Sequence, residues 1–223
     1  MPAYHPPCYH ASISQPGWKA IPASELAIKL VRAADTMEVD LEPLQSLWTE
    51  THYLKLTDQT NHLIEFTNGV IEALPMPTRR HQVILAFLYK LFAAYICSRG
   101  GKVLFAPLRL QVAPRRFREP DLLLLRDIGD PRNQNAFWLG ADLVVEIVHP
   151  DDRERDTLRK RHEYAGVGSP EYWIVDPENK TIVILKLNGN LYTEHGVFGR
   201  GQTARSALLG DFQVSVEAVF DAQ

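Results

Sequence analysis

The chain has 223 residues, of which 45% are hydrophobic and 23% charged, so it can bury a sizeable core and is not a low-complexity or disordered protein. Its two cysteines, Cys8 and Cys97, are too few and too far apart for a disulfide framework or a cysteine zinc site. The net charge of −3 argues against a protein that binds nucleic acid through overall positive charge.

The N-terminal part carries little functional information. We assign residues 1–48 to an extension, in which 22–34 could form a short amphipathic helix, and residues 49–223 to one domain. The first residues, "MPAYHPPCYHASISQPGW", lack a basic start followed by an apolar stretch, so no secretory leader is predicted. The longest apolar segment, 83–97, is short for a membrane span and contains Lys90, which favours a buried helix. We therefore expect a cytoplasmic protein without a membrane partner.

From residue 62 onwards the sequence predicts a regular order of strands and helices. Asn68-Gly69 separates two apolar runs in "HLIEFTNGVIEALP", which predicts a β-hairpin. A helix is predicted over 79–98, closed by Gly100-Gly101. The predicted elements that follow are strands in "KVLFAPLRLQVAP", "EPDLLLLRD" and "DLVVEIV", a charged helix in "DRERDTLRKRHEYAG", a strand in "EYWIVDP" and a hairpin turned at Asn188-Gly189. This order predicts an α/β fold with a mixed central sheet flanked by helices.

Basic residues are concentrated between residues 73 and 118. This segment contains nine Lys or Arg residues and no Asp or Glu. It can form a basic surface that contacts phosphate groups, with Arg115, Arg116 and Arg118 as the candidate nucleic-acid contacts. It can equally be neutralised by acidic neighbours in the fold, and the sequence favours neither alternative.

Two acidic residues accompany apolar strands. Asp121 begins the apolar run "DLLLL", and Glu146 interrupts the run 143–148. A buried carboxylate is costly unless it is neutral, paired or bound to a metal ion. Because side chains alternate along a strand, Glu146 is expected to point away from Val145 and Ile147, and the carboxylates of two neighbouring strands can then converge. Such a pair favours a hard divalent cation such as Mg²⁺.

Structural roles are the alternative for both carboxylates. Asp121 can serve only to cap the start of a strand. Glu146 can form a purely structural ion pair with Arg118 or Lys160, since buried ion pairs also occur without catalysis.

The charged helix predicted after residue 150 places three polar side chains on one stripe. Asp156, Lys160 and Tyr164 follow one another at spacings of four residues. A lysine beside a metal-bound water can orient or deprotonate that water and stabilise charge on a phosphate. A solvated, ion-paired helix face is the alternative interpretation.

Taken together, these segments resemble the Uma-two family of restriction endonucleases, which is assigned to the PD-(D/E)XK nuclease superfamily. The resemblance is carried by "EPD" at 119–121, "DLVVEIVHP" at 142–150, the stripe of Asp156, Lys160 and Tyr164, and "GVGSPEYWIVDP" at 166–177. Upstream, "IEFTNGVIEALPMPTRRH" at 64–81 is similar to the hairpin and first helix of that family.

The resemblance implies a restriction-endonuclease-like fold and a metal-dependent endonuclease that hydrolyses phosphodiester bonds in DNA by metal-activated water. It implies Asp121 and Glu146 as ligands of Mg²⁺ or Mn²⁺. Both would be catalytic together with Lys160, because the usual lysine position of the superfamily is occupied here by Val148.

Four further residues are candidates for supporting roles by the same resemblance, namely Glu65, His81, Asp156 and Tyr164. A homodimer would suit the cleavage of both DNA strands. The alternative function is a non-cleaving DNA-binding or assembly module on the same fold. A third possibility is an RNA-directed or structure-specific nuclease, which the sequence does not separate from the first.

Overall fold

The structure is a computed structural model that describes residues 27–32, 35–40, 44–59, 62–149 and 153–223, without the side chains of 27–40 and of Asp156. The chain divides into two compact units, Met1–Pro43 and Leu44–Gln223. The second unit contains the predicted domain 49–223.

The described part of the first unit is a pair of antiparallel strands, β1 (Ala27–Arg32) and β2 (Asp35–Asp40). The helix predicted over 22–34 is therefore wrong where the chain is described. The register opposes Lys29 to Glu38 and Leu30 to Met37.

The described residues of the second unit form short strands and four α-helices. In chain order, its elements are α1 (Glu50–Thr57), β3 (Ile64–Thr67), β4 (Val70–Ala73), α2 (Arg79–Ile96), β5 (Lys102–Phe105), β6 (Leu110–Ala113), β7 (Arg116–Arg118), β8 (Leu122–Leu125), β9 (Leu143–Ile147), a π-helical segment (Arg155–Arg159), α3 (Lys160–Gly166), β10 (Glu171–Asp176), β11 (Thr181–Asn188), β12 (Leu191–Phe198), β13 (Thr203–Arg205), β14 (Gln213–Ser215) and α4 (Val216–Phe220).

A six-stranded sheet with the order β12-β11-β10-β9-β8-β5 forms the centre of this unit. Strands β9 and β10 are parallel, and the other neighbouring pairs are antiparallel. A second sheet has the order β4-β3-β7-β6. The predicted α/β fold with a mixed central sheet is confirmed.

The two faces of β9 pack into different parts of the core. Leu143, Val145 and Ile147 belong to a cluster that includes the apolar residues of α2, whereas Val144 and Val148 belong to a cluster that includes Tyr164 of α3. This alternation confirms the predicted two-residue period, and it places Glu146 on the side of the sheet that faces α3.

Thr78 caps the N-terminus of helix α2, because its hydroxyl accepts a hydrogen bond from the backbone N–H of His81. The helix is followed by a 3₁₀ turn, Cys97–Arg99, which Gly100 caps. Among the described residues, one helical stretch, Arg79–Arg99, is long and apolar enough to cross a membrane by length and composition. Its apolar stripe packs into the core cluster against one face of the central sheet, while its other residues are partly or fully exposed, so the helix predicted to be buried is buried along one face. The buried residues are Ile84, Leu85, Leu88, Phe92 and Ile96. Each buried side chain of this size contributes roughly 1.5–3 kcal/mol.

Both predicted hairpins form. Asn68 and Gly69 have positive φ angles of 50° and 99°, which fits the turn that joins β3 to β4. The second hairpin turns at Gly189-Asn190, one residue later than predicted, because Asn188 is still paired with Leu191.

The strand predicted in "KVLFAPLRLQVAP" is wrong as a single element. Strand β5 belongs to the central sheet and β6 to the four-stranded sheet. Pro107 lies between them and has no N–H to donate to a ladder, so the chain leaves one sheet there and joins the other. Strand β7, the helices α1 and α4, and the pair β13-β14 have no counterpart in the predicted elements.

Candidate active site

Strand pairing brings Asp121 and Glu146 to the same place. Leu122 in β8 is paired with Val145 in β9, so the next register position sets Asp121 opposite Glu146. Directly opposite residues of antiparallel strands share a face. The backbone N–H of Ile147 donates to Oδ2 of Asp121 at 2.7 Å. Both carboxylates line one cavity of about 330 Å³.

His81 holds the second oxygen of Asp121. Its Nε2 lies 3.1 Å from Oδ1 and 3.2 Å from Oδ2 of the carboxylate. Nδ1 is buried and has no hydrogen-bond partner among the described residues. An imidazole with its proton on Nε2 donates to the carboxylate, so the first turn of α2 and the backbone of β9 together fix the orientation of Asp121.

Glu146 contacts Lys160 and Tyr164, two of the three residues on the predicted helix stripe. Lys160 Nζ lies 2.8 Å from Oε1 of Glu146, and the Tyr164 hydroxyl donates to the same oxygen. Burial and the neighbouring Glu146 raise the pKa of Tyr164, so the phenol remains a protonated donor. The structure thus brings together Glu146, Lys160 and Tyr164, whereas the side chain of Asp156 lies outside the described part of the chain.

The helix that carries Lys160 begins with a π-helical segment, Arg155–Arg159, rather than as the regular α-helix that the spacing suggests. The backbone N–H of Lys160 donates to the carbonyl of Arg155, five residues earlier. Short π-helical turns are common at functional sites, where they change the direction of a side chain. Here Lys160 is buried and lines the cavity.

Glu65 lies at the centre of a cluster of cations. It is fully buried, accepts a hydrogen bond from Arg155, and lies 3.4 Å from Arg118 Nε and 3.8 Å from Lys160 Nζ. Burial alone raises the pKa of Glu65, but the three nearby cations outweigh it and lower the value to about 2. Glu65 is therefore ionised at neutral pH and stabilises these cations.

Glu119 lies in the segment "EPD" and has no role predicted from the sequence. Its carboxyl is buried, lines the cavity and accepts the backbone N–H of Ile64 at 3.2 Å. Burial and the nearby Glu65 raise the pKa of Glu119 to about 8. Its position two residues before Asp121 could have indicated a place in the site, because residues two apart lie on one side of an extended segment. Arg155 and His149, which also line the cavity, were likewise missed.

The three arginines predicted to contact nucleic acid differ in exposure. Arg118 is 0% exposed and donates two hydrogen bonds of 2.6 Å to Glu163, so its prediction as a surface phosphate contact is wrong. Arg116 is half-buried, with Nη1 3.7 Å from Glu163. Arg115 is exposed. Around Arg118 the acid-free segment is therefore neutralised by carboxylates from distant parts of the chain.

The donor set at the cavity fits a hard divalent cation. Among the described residues, no group of three or more His, Cys, Asp or Glu side chains is arranged to hold a metal ion. Asp121 and Glu146 nevertheless provide two carboxylates at one cavity. Mg²⁺ commonly takes one or two protein carboxylates and keeps several water molecules, so this pair is sufficient for it.

Comparisons with known proteins give a family and a fold for this chain. The family model described as "Uma2: Putative restriction endonuclease" matches residues 50–217. Among solved structures, the chain is similar to a protein from Anabaena variabilis ATCC 29413 whose crystal structure is titled as a "putative nuclease belonging to DUF820". The two are 20% identical with a TM-score of 0.65, over 78% of this chain and 97% of that chain, which shows a shared fold. No curated protein matches this chain.

Proposed function

The chain belongs to the Uma2 family, described as "Putative restriction endonuclease", and we propose that it is a metal-dependent endonuclease that hydrolyses phosphodiester bonds in DNA. The observation that supports this proposal is the convergence of Asp121, Glu146 and Lys160 on one cavity. These side chains come from the start of β8, from β9 and from the start of α3. A fold alone does not require two carboxylates and an ammonium group at one cavity, whereas such a set suits metal-assisted hydrolysis of a phosphodiester.

Asp121 and Glu146 would hold Mg²⁺ or Mn²⁺. A bound divalent cation of this kind lowers the pKa of water and offsets the negative charge of a phosphate. The chain itself provides oriented ligands. Neighbours already orient each carboxylate, namely the Ile147 N–H and His81 for Asp121 and the Tyr164 hydroxyl for Glu146. Fixed ligands lose little conformational freedom when the site is filled.

Lys160 supplies a positive charge where the phosphate would lie. Its ammonium is shared between Glu146 at 2.8 Å and Glu65 at 3.8 Å. From this position it can stabilise charge that develops on a phosphate oxygen, or transfer a proton to or from a water molecule. His81 acts at a distance from this step, because it contacts Asp121 and holds that carboxylate in place.

The proposal is tested by incubating the purified protein with supercoiled plasmid, single-stranded DNA and structured RNA, each with Mg²⁺, Mn²⁺ or EDTA. We expect DNA cleavage that requires the divalent cation and is lost in Asp121→Asn. Asp127→Asn, which changes an exposed carboxylate outside the cavity, is the matched control and should cleave like the parent protein.

Two results would contradict the proposal. Cleavage that persists in EDTA would exclude the metal-dependent mechanism. DNA binding without cleavage under every condition would instead favour a non-cleaving module on the same fold.

A further inference from the structure

The cavity that contains Asp121 and Glu146 also has an apolar wall. Met76 is 69% exposed and Phe105 is 46% exposed, although both are large hydrophobic side chains. Pro107 is exposed beside them. The wall is completed by Leu63, Leu74, Pro75, Pro77 and Leu85.

The apolar wall adjoins the carboxylates directly. Phe105 in β5 is paired with Leu122 in β8, and the backbone N–H of Ala106 donates to the carbonyl of Asp121 at 3.3 Å. The ring of Phe105 meets the ring of Tyr89 edge to face, with centroids 5.0 Å apart. An exposed aromatic ring is therefore held in place at the cavity that Asp121 also lines.

The remaining lining residues have the opposite chemistry. Arg155 and Lys160 contribute positive charge, and His81 and His149 line the same cavity. Glu119, Asp121 and Glu146 line the same end, so that end suits a phosphate through Arg155, Lys160 and a cation held by the carboxylates, and the other end suits a flat apolar group. A nucleotide unit has this character, since its phosphate is charged and its base has two apolar faces.

Only an unpaired base can place its face against this apolar wall. In duplex DNA the base faces are covered by their neighbours in the stack, so a protein reaches the phosphates and the groove edges alone. In a single strand the faces are free, and aromatic side chains commonly stack on them beside a cationic groove.

We propose that the apolar wall formed by Met76, Phe105 and Pro107 binds an unpaired nucleobase adjacent to the phosphate that is cleaved. The inference deepens the proposed function and rests on it, because it assigns single-stranded or locally unpaired nucleic acid as the substrate class. Met76 and Phe105 are binding residues in this assignment, and the carboxylates and Lys160 remain the groups that act on the phosphate.

The first test measures binding in EDTA, so that cleavage is not needed. The fluorescence anisotropy of a labelled single-stranded oligonucleotide is compared with that of a blunt duplex of the same length. We expect tighter binding of the single strand, and a loss of about 5-fold to 150-fold for Phe105→Ala, the range for one stacked base. Met76→Ala should weaken binding in the same direction. Leu191→Ala, which changes an equally exposed apolar residue outside the cavity, should bind like the parent protein.

The second test locates the base. A single abasic position is moved along the oligonucleotide, and the parent protein should lose affinity when that position reaches the wall. Phe105→Ala should be insensitive to the abasic position, because the contact has already been removed. Equal binding of duplex and single strand, or equal abasic sensitivity in the parent protein and Phe105→Ala, would overturn the inference.

These outcomes separate the inference from the proposed function. Stacking on the wall without cleavage under any condition would support the inference and refute the nuclease. Metal-dependent cleavage of duplex and single strand at equal rates, unaffected by Phe105→Ala, would overturn the inference and leave the nuclease intact.

Discussion

Lys160 and Glu146 form a buried ion pair, with Nζ 2.8 Å from Oε1, although they lie on a helix and a strand on either side of a loop. Removing one partner of a buried pair leaves an uncompensated charge, whereas replacing both partners can be nearly neutral. This asymmetry allows a structural role of the pair to be separated from a catalytic one.

We expect Lys160→Met to reduce DNA cleavage by a factor on the order of 10² to 10⁴, the usual range for a lost proton-transfer group. It should also lower the free energy of unfolding by about 3–5 kcal/mol, measured by urea denaturation. Adding Glu146→Gln should restore part of the stability but no activity. Arg159→Met is the control, because Arg159 is partly exposed and pairs with Glu72. If Lys160→Met cleaves at the parental rate, the lysine is structural only.

Asp121→Asn and Glu146→Gln should each abolish metal-dependent cleavage, because one remaining carboxylate is a poor site for the cation. Calorimetric titration with Mn²⁺ should show an affinity at least about 10-fold lower than that of the parent protein. Asp127→Asn should keep the parental affinity. Unchanged Mn²⁺ binding in both Asp121→Asn and Glu146→Gln would refute the metal site.

Variants of Arg118 and Arg115 should distinguish an effect on stability from an effect on DNA binding. Arg118→Met is expected to lower the free energy of unfolding by about 3–5 kcal/mol, because it removes a buried cation that pairs with both Glu163 and Glu65. Arg115→Ala should leave stability unchanged and reduce the salt dependence of DNA binding by about one log unit for each lost phosphate contact. An unaltered salt slope would show that DNA, when bound, lies elsewhere.

Glu65 should make the protein sensitive to acid. Its folded pKa of about 2 lies below the ordinary value of 4.5, so its contribution to stability is complete above pH 4.5 and is lost as the pH falls towards 2. The shift corresponds to about 3 kcal/mol. Urea denaturation at pH 6, 4.5 and 3.5 should therefore show Glu65→Gln to be less stable than the parent protein by an amount that shrinks with decreasing pH. A difference that is constant with pH would contradict this role.

Several features were predictable because neighbouring residues determine them. Asn68-Gly69 specifies a tight turn through its positive φ angles, and the apolar spacing of α2 specifies a helix with one buried face. The alternation in β9 shows which side Glu146 faces, since side chains in a strand change sides at every residue. The family resemblance rests on segments of this kind, and the match over residues 50–217 confirms it.

Other features depend on contacts between segments that are far apart in the sequence. The sequence predicts Arg118 to be an exposed cation, because its segment contains no acidic residue. In the fold, however, Arg118 is paired with Glu163 and Glu65. The two strands in "KVLFAPLRLQVAP" belong to different sheets because each pairs with a different strand. The local sequence does not indicate which strand each one pairs with.

The sequence by itself determined the fold class, the hairpins, and the directions of Glu146 and of the stripe with Lys160 and Tyr164, because the periods of strands and helices fix these. Only the tertiary structure decided that Lys160 reaches Glu146, that Glu65 holds the surrounding cations, and that Phe105 and Asp121 line the same cavity. Burial and charge pairing are properties of the whole fold, since they depend on which distant groups exclude water and supply the opposite charge.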